Sequence, residues 1–346
     1  MLHDASLRDF PRLPAERDDA PRFQRAIDAC PDGVLAVPRG IYEIGAPLFI
    51  RNRCSLDMHP AAVLRAVAPM DFVLTYDGGE SFRNLIADSD PLNVFLRGGD
   101  LDGAGMASCL AVYNYHHFTL SNMVLHNGRT YGFRTSRRGG FGYELIATNV
   151  YAKCTMSGNT GFYTDLCDSH YTDCIVVDYT VGFGSYGGAN RFTRCHVWGG
   201  ILPPVGVSQE DWMRTYRARR FDPASDPAAW RAESLPEMLV DSVCFDVHGA
   251  CLFDGCFADT GEIGFRIAGG SVLTGCRVYN NYRFGMDHMV AIDHLSGALT
   301  VSNSRFDAWH TPHPVLYRHA ADTTPTVRDC QVIRFPDGFP APAVRA

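Results

Sequence analysis

The chain is predicted to fold as an all-β solenoid, and three observations carry that prediction. Short segments ending in a small residue, most often cysteine, recur along most of its length. They read Ser121-Asn122-Met123, Ala147-Thr148-Asn149, Thr172-Asp173-Cys174, Thr193-Arg194-Cys195, Asp254-Gly255-Cys256, Thr274-Gly275-Cys276, Ser302-Asn303-Ser304 and Arg328-Asp329-Cys330. Their third positions lie 20 to 28 residues apart, except for a gap of 61 between Cys195 and Cys256. A second column of strand-like segments precedes them, at 132–135, 161–165, 182–186, 244–248, 264–267 and 290–294. Self-similarity at this period, built from strands rather than helices, marks a solenoid in which each repeat is one coil.

A solenoid grows along its axis, so all 346 residues are read as one domain, 1–346. Asp18-Asp19-Ala20-Pro21 opens a helix over 18–30, with acidic residues and a proline in the first turn. Phe23, Ala26, Ile27 and Cys30 follow at i, i+3, i+4 and i+7 and give it one apolar stripe. Such a helix ahead of the first coil serves as its cap. Val34 to Val37 reads as a strand, Pro38-Arg39-Gly40 as a turn, and Ile41 to Ile44 as the next strand. The 61-residue gap holds an insertion at about 201–241 that breaks the pattern with prolines and helix-like stretches. Long insertions in solenoids lie on one face, often the binding face, and Trp212 there is a candidate wall of a sugar cleft. A Pro-rich tail closes the chain at 335–346.

The net charge of −7 and the absence of a basic run interleaved with aromatics argue against a nucleic-acid partner. No stretch approaches the roughly 20 apolar residues that span a bilayer, and the polar start of the chain lacks the apolar core of a leader. The expected location is therefore cytoplasmic, or secreted if a leader has been removed. Of the 12 cysteines, Cys174, Cys195, Cys256, Cys276 and Cys330 fall in one repeat column. Equivalent positions of neighbouring coils stack about 4.8 Å apart, so this column predicts a ladder of small buried thiols rather than disulfides. Cysteine and histidine spacings of zinc sites are missing, which predicts no metal, and no phosphate-cradling glycine loop predicts an organic cofactor.

Residues Asp18 to Tyr42 resemble the entry of the pectate-lyase-like superfamily, which reads Asp-Asp-x-x-x-Phe-Gln-x-Ala-Ile-Asp-Ala and then Gly-x-(Leu/Val)-x-Val-Pro-x-Gly-x-Tyr. The stretch Gly99-Asp100-Leu101-Asp102-Gly103-Ala104-Gly105 is similar to a turn in the first full coils of its polygalacturonase-type members. The resemblance implies a right-handed parallel β-helix with carbohydrate chemistry on its side. A homotrimer or a dimer is compatible with that architecture.

Alternation along the second strand column turns Phe133, Phe162, Phe183, Phe245 and Phe265 inward and the residues one and three places later outward. That outer face collects Arg134, Ser136, Tyr163, Asp165, Gly184, Tyr186, Asp246, His248 and Arg266. Its order resembles the polygalacturonase-type site, whose strands carry Asn-Thr-Asp, Asp-Asp, Gly-His-Gly and Arg-Ile-Lys. Tyr163-Thr164-Asp165, Val247-His248-Gly249 and Arg266-Ile267-Ala268 match the first, third and fourth, whereas Gly184-Ser185 replaces the acid pair and Ala268 the lysine.

Glycoside hydrolysis needs two carboxyl groups flanking the scissile bond, and Asp165 and Asp246 are the expected pair. Two rungs between them, about 9–10 Å, would predict inversion. His248 is expected to tune Asp246, and Arg134, Tyr163, Tyr186 and Arg266 to bind an oligo- or polysaccharide. Asp293 and His294 continue the column as a further subsite, with Asp287-His288 in reserve; Asp168 belongs to the same set or caps a turn. The alternatives are a polysaccharide lyase or uronate epimerase, an intramolecular fructosyl transferase, and a tailspike-like β-helix that binds glycans without cutting them. A lysine-based lyase is disfavoured, because the sole lysine, Lys153, sits away from this face.

Overall fold

Three all-parallel sheets of 12, 11 and 10 strands carry the chain, and each coil adds one strand to each sheet in turn. The computed structural model describes residues 3–79, 94–136, 142–154, 159–199, 242–281, 289–309, 314–320 and 324–336. These form two compact units, the first of residues 1–156 with 162–175 and the second of 157–161 with 176–346. The insertion at 201–241 with Trp212, the pair Asp287-His288, and the tail beyond residue 336 lie outside the described residues. No helix among the described residues is long and apolar enough to cross a membrane.

In the first unit the coil is clearest from Phe118 onward. Phe118–Ser121, Val124–His126 and Tyr131–Thr135 join the 12-, 11- and 10-stranded sheets, and Ile146–Thr148 returns to the first of them in register with Thr119 to Ser121. The helix occupies Ala20–Asp28, and Phe23, Ala26 and Ile27 are buried with Cys30 just beyond it. Its second task was not legible in the apolar stripe. Leu48–Ile50 is the edge of the 10-stranded sheet, where a strand would otherwise leave its peptide groups open. Gln24 in the helix pairs both of them at Phe49, donating from Nε2 to the carbonyl (2.8 Å) and accepting the amide at Oε1 (2.9 Å). Asp19 does the same at the edge strand Gly40–Ile44, with its own amide on the Glu43 carbonyl (2.7 Å) and Oδ2 accepting the Glu43 amide (2.9 Å). The cap therefore works by hydrogen bonds as well as by apolar cover.

In the second unit the coils run through Arg191–Thr193, His196–Trp198 and Val243–Val247, then Leu252–Asp254, Phe257–Asp259 and Ile263–Ala268. The next coil is Ser271–Thr274, Arg277–Asn281 and Met289–Ser296, followed by Leu299–Ser302, Arg305–Trp309 and Pro314–His319. The inward column is a stack of rings: Phe183 on Phe245 at 5.4 Å and Phe245 on Phe265 at 4.7 Å between centroids. Cys195, Cys256 and Cys276 are buried and Cys330 is half-buried near the end, all as free thiols. Cys256 Sγ lies 3.3 Å from the Phe192 carbonyl of the preceding coil. Burial pushes the thiols of Cys244 and Cys251 up, so they stay protonated and inert.

One detail of the repeat differs from the expectation. The residue before each buried small position is left-handed, with φ of 53° at Asn122, Asn149 and Asp173, 51° at Arg194, 63° at Gly255 and Gly275, 50° at Asn303 and 52° at Asp329. That makes Asn149 a turn residue and Val150 the buried member, one place later than the segment Ala147-Thr148-Asn149 implies. Asn, Asp and Gly tolerate this conformation best, and they fill seven of these eight places, which is the reason for the polar middle position. The turn amides bond along the column, Asn122 to the Thr148 carbonyl (3.1 Å), and Gly255 to that of Thr274 (2.9 Å).

Replacing Gln24 by Ala would leave the Phe49 amide and carbonyl unpaired at a half-covered edge. The expected loss is roughly 1–3 kcal/mol in denaturant unfolding, with Gln24→Glu recovering the acceptor alone and part of that loss.

Candidate active site

The outer face of the 10-stranded sheet in the second unit is a ladder of charge. Parallel register places Gly184 opposite Asp246, Asp246 opposite Arg266, Arg266 opposite Asp293, and Asp293 opposite Arg318. Rungs of a sheet are about 4.8 Å apart, so identical charges here would repel strongly and alternating ones attract. Asp293 accepts from Arg318 at both oxygens, Nε on Oδ1 and Nη2 on Oδ2 at 2.8 Å each, and from Arg266 Nε on Oδ2 at 3.1 Å. Burial pushes its carboxyl up, but the two guanidinium groups outweigh that and hold it below the usual range. An acid clamped by two arginines stays ionised, so Asp293 positions Arg266 and does not exchange protons.

Asp246 sits one rung from Arg266 and two from Asp293, with 0% of its surface exposed. Tyr186 OH donates to Oδ2 at 2.9 Å and His248 Nε2 meets Oδ1 at 3.1 Å. The Tyr186 and His248 rings stack on each other, 4.7 Å between centroids and 15° between planes. An ionised carboxylate only accepts, so with Asp246 ionised this contact calls for the His248 proton on Nε2 and leaves the lone pair on Nδ1. His248 keeps 26% of its side chain exposed. The burial differs from the expectation: Asp246, predicted to face solvent, is fully buried against Tyr186 and His248, and His248 is the part-exposed member of the pair. The cause is period two itself, since Tyr186 and His248 share Asp246's face and are large enough to cover it.

Arg266 is 9% exposed, and among the described residues its Nη1 has no hydrogen-bond partner. A buried guanidinium nitrogen left unpaired is costly unless a bound acceptor satisfies it.

His294 does not belong to this face. It follows Asp293 directly, so alternation turns it inward, where it is fully buried between the Tyr317 hydroxyl and the carbonyls of Ser296 and Gly297. Burial pushes its imidazole below the ordinary value. Tyr317 and Arg318 were not singled out in the sequence, although Pro314–His319 repeats the column's alternation and takes the next rung.

Within the first unit the same sheet presents a second group. Arg134 lies over the rings of Tyr131 (5.4 Å) and Tyr163 (5.9 Å), and those rings are 5.5 Å apart. Asp165 is half-buried and its Oδ2 accepts from Ser136 Oγ at 3.0 Å. Asp168 is an exposed turn residue with φ 58°, the capping-turn geometry. Asp165 thus belongs to the first unit and Asp246 to the second, each with its own hydrogen-bond partners.

No family model and no curated protein sequence matches the chain. Solved structures do. A protein of Geobacillus virus E2, ORF18, superposes with a TM-score of 0.61 at 12% identity over 93% of this chain, which spans 61% of that one. The A-module of mannuronan C-5 epimerase AlgE6 from Azotobacter vinelandii gives 0.57 at 13% identity, over 95% of this chain and 99% of the module. The tailspike of E. coli bacteriophage HK620, in complex with a hexasaccharide, gives 0.53 at 13% identity, over 95% and 66%. At these identities the likeness is one of fold, and that fold is the right-handed parallel β-helix.

Replacing Asp293 by Asn should strip Arg266 and Arg318 of their shared counter-ion and destabilise the protein by about 3–5 kcal/mol at neutral pH. A depressed carboxyl stabilises above its unfolded value and loses that contribution as pH falls through the folded one. The gap between wild type and Asp293→Asn in denaturant unfolding should therefore be full at pH 7 and narrow below about pH 4.

Proposed function

We propose that this chain is a glycan-modifying enzyme that moves a proton on a uronic-acid residue, with His248 as its acid–base group. The observation that carries the reading is the unpaired Nη1 of buried Arg266 one rung from the His248–Asp246–Tyr186 cluster. Abstraction of a proton next to a carboxylate leaves charge on that carboxylate, and a preorganised guanidinium stabilises it where water is excluded.

His248 Nδ1 takes the proton, with Nε2 holding its bond to Asp246, and the electron pair of the broken C–H bond spreads into the substrate's carboxylate as an enediolate facing Arg266. Return of a proton from water on the opposite face inverts the carbon, which is epimerisation, and His248 then gives its proton back to solvent. Departure of the glycosidic oxygen on the neighbouring carbon, with a proton passed to that oxygen from His248 or from water, is elimination and cuts the chain. Tyr186 holds Asp246 and the plane of the His248 ring. The fold shared with a mannuronan epimerase module and with a tailspike carrying a bound hexasaccharide supports a saccharide as the substrate.

The second reading is hydrolysis of a glycosidic bond by carboxyl groups, for which Asp165 of the first unit and Asp246 of the second are each candidates. The half-buried Asp165, held by Ser136, favours it; the complete burial of Asp246 disfavours it.

Incubating the protein with uronic and neutral oligosaccharides in D2O separates the readings. Proton abstraction predicts deuterium at the carbon next to the carboxylate, or unsaturated products, lost at least a hundredfold in His248→Gln and in Arg266→Gln. Products heavier by one water, with no carbon-bound deuterium and sensitive to Asp165→Asn, would support hydrolysis instead. Saturated cleavage products with neither added water nor carbon-bound deuterium would point to intramolecular transfer, and binding without turnover to a tailspike-like role.

A further inference from the structure

His116, His117 and Glu144 bring two imidazoles and a carboxylate together in the first unit, and none of them belongs to the ladder described above. Tyr115–His116 pairs in parallel with Gly142–Tyr143, with His116 opposite Tyr143. His117 and Glu144 are therefore the next residues of two successive coils. Both take the left-handed backbone conformation, φ 56° and 54°, so the chain turns alike on the two rungs. His117 Nε2 lies 2.8 Å from Glu144 Oε2, and the His116 and His117 rings are 4.4 Å apart, nearly edge to face. One donor atom from each of the three residues lies within 4.8 Å of the other two.

We propose that these side chains form a site for a divalent transition-metal ion, zinc foremost. Tetrahedral zinc with nitrogen and oxygen ligands at 2.0–2.2 Å holds its donors about 3.3 Å apart, so the cluster needs to contract by no more than about 1.5 Å. The side chains of His117 and Glu144 are 39% and 48% exposed, which leaves them room to rotate. Two imidazoles and one carboxylate suit zinc, cobalt or nickel; calcium and magnesium take oxygen shells that this trio does not supply. Three protein ligands leave the fourth position to water or a substrate oxygen. The ion would also link the turn of one coil to the turn of the next, a cross-link between residues 27 positions apart in the chain.

The test uses the full chain without an affinity tag, stripped with chelator and then titrated with Zn2+ by calorimetry and with Co2+ by visible absorption, in millimolar Mg2+. The expected result is one equivalent bound per chain at micromolar affinity or better, with the Co2+ spectrum of nitrogen and oxygen ligation. Zn2+ should raise the thermal midpoint of the wild type, as any ligand of the folded state does. His116→Ala, His117→Ala and Glu144→Gln should each weaken binding at least tenfold while far-UV circular dichroism is unchanged. Equal binding by the wild type and the triple variant would overturn the site, as would displacement by Mg2+. A thiolate charge-transfer band would place the ion on cysteine and overturn it too.

Discussion

Parallel pairing in a fixed register is the constraint on which the rest of this structure depends. When each residue of a coil hydrogen-bonds beside its equivalent in the next, a side chain is packed chiefly against its own kind one rung away. Inside, that favours residues that stack: Phe183, Phe245 and Phe265 do so face to face, and the thiols of Cys256 and Cys276 are buried on successive rungs. At the turns it demands a left-handed residue at one recurring place. Outside, opposite charges in line attract, and the second unit sets Asp246, Arg266, Asp293 and Arg318 in alternation.

The same register explains how a chemical site arises on a surface that is otherwise plain sheet. Asp293, clamped from two sides, consumes the Nε of Arg266 and leaves Nη1 without a partner among the described residues. Asp246 is buried, with Tyr186 on one oxygen and His248 on the other. In the proposed reading the reacting groups are the His248 imidazole and, one rung on, the Arg266 guanidinium. A base next to a cation suits proton abstraction beside a carboxylate better than the protonation of a neutral leaving group by a buried acid.

The strand columns, the cap helix and the thiol ladder were legible in the sequence because each is a local pattern repeated at the coil period. The entry from Asp18 to Tyr42 could be read to within two residues at each end of the helix. The misplacement at Asn149 came from aligning on small residues when the left-handed turn was the invariant of the column. In the site, alternation named Asp246, His248, Tyr186 and Arg266 as neighbours, but it says nothing of depth, and so it could not show that two rings cover the carboxylate. His294 was assigned to the face by adjacency to Asp293, against the period of two that excludes it. The His116, His117 and Glu144 cluster was missed because its members belong to different coils; the 27-residue spacing from His117 to Glu144 was its signal.

The most direct measurement is a crystal structure of His248→Gln with an oligouronide bound. The account predicts a substrate carboxylate on Arg266 Nη1, with the carbon that bears it facing the position of His248 Nδ1. A saccharide bound elsewhere, or one whose carboxylate avoids Arg266, would contradict it.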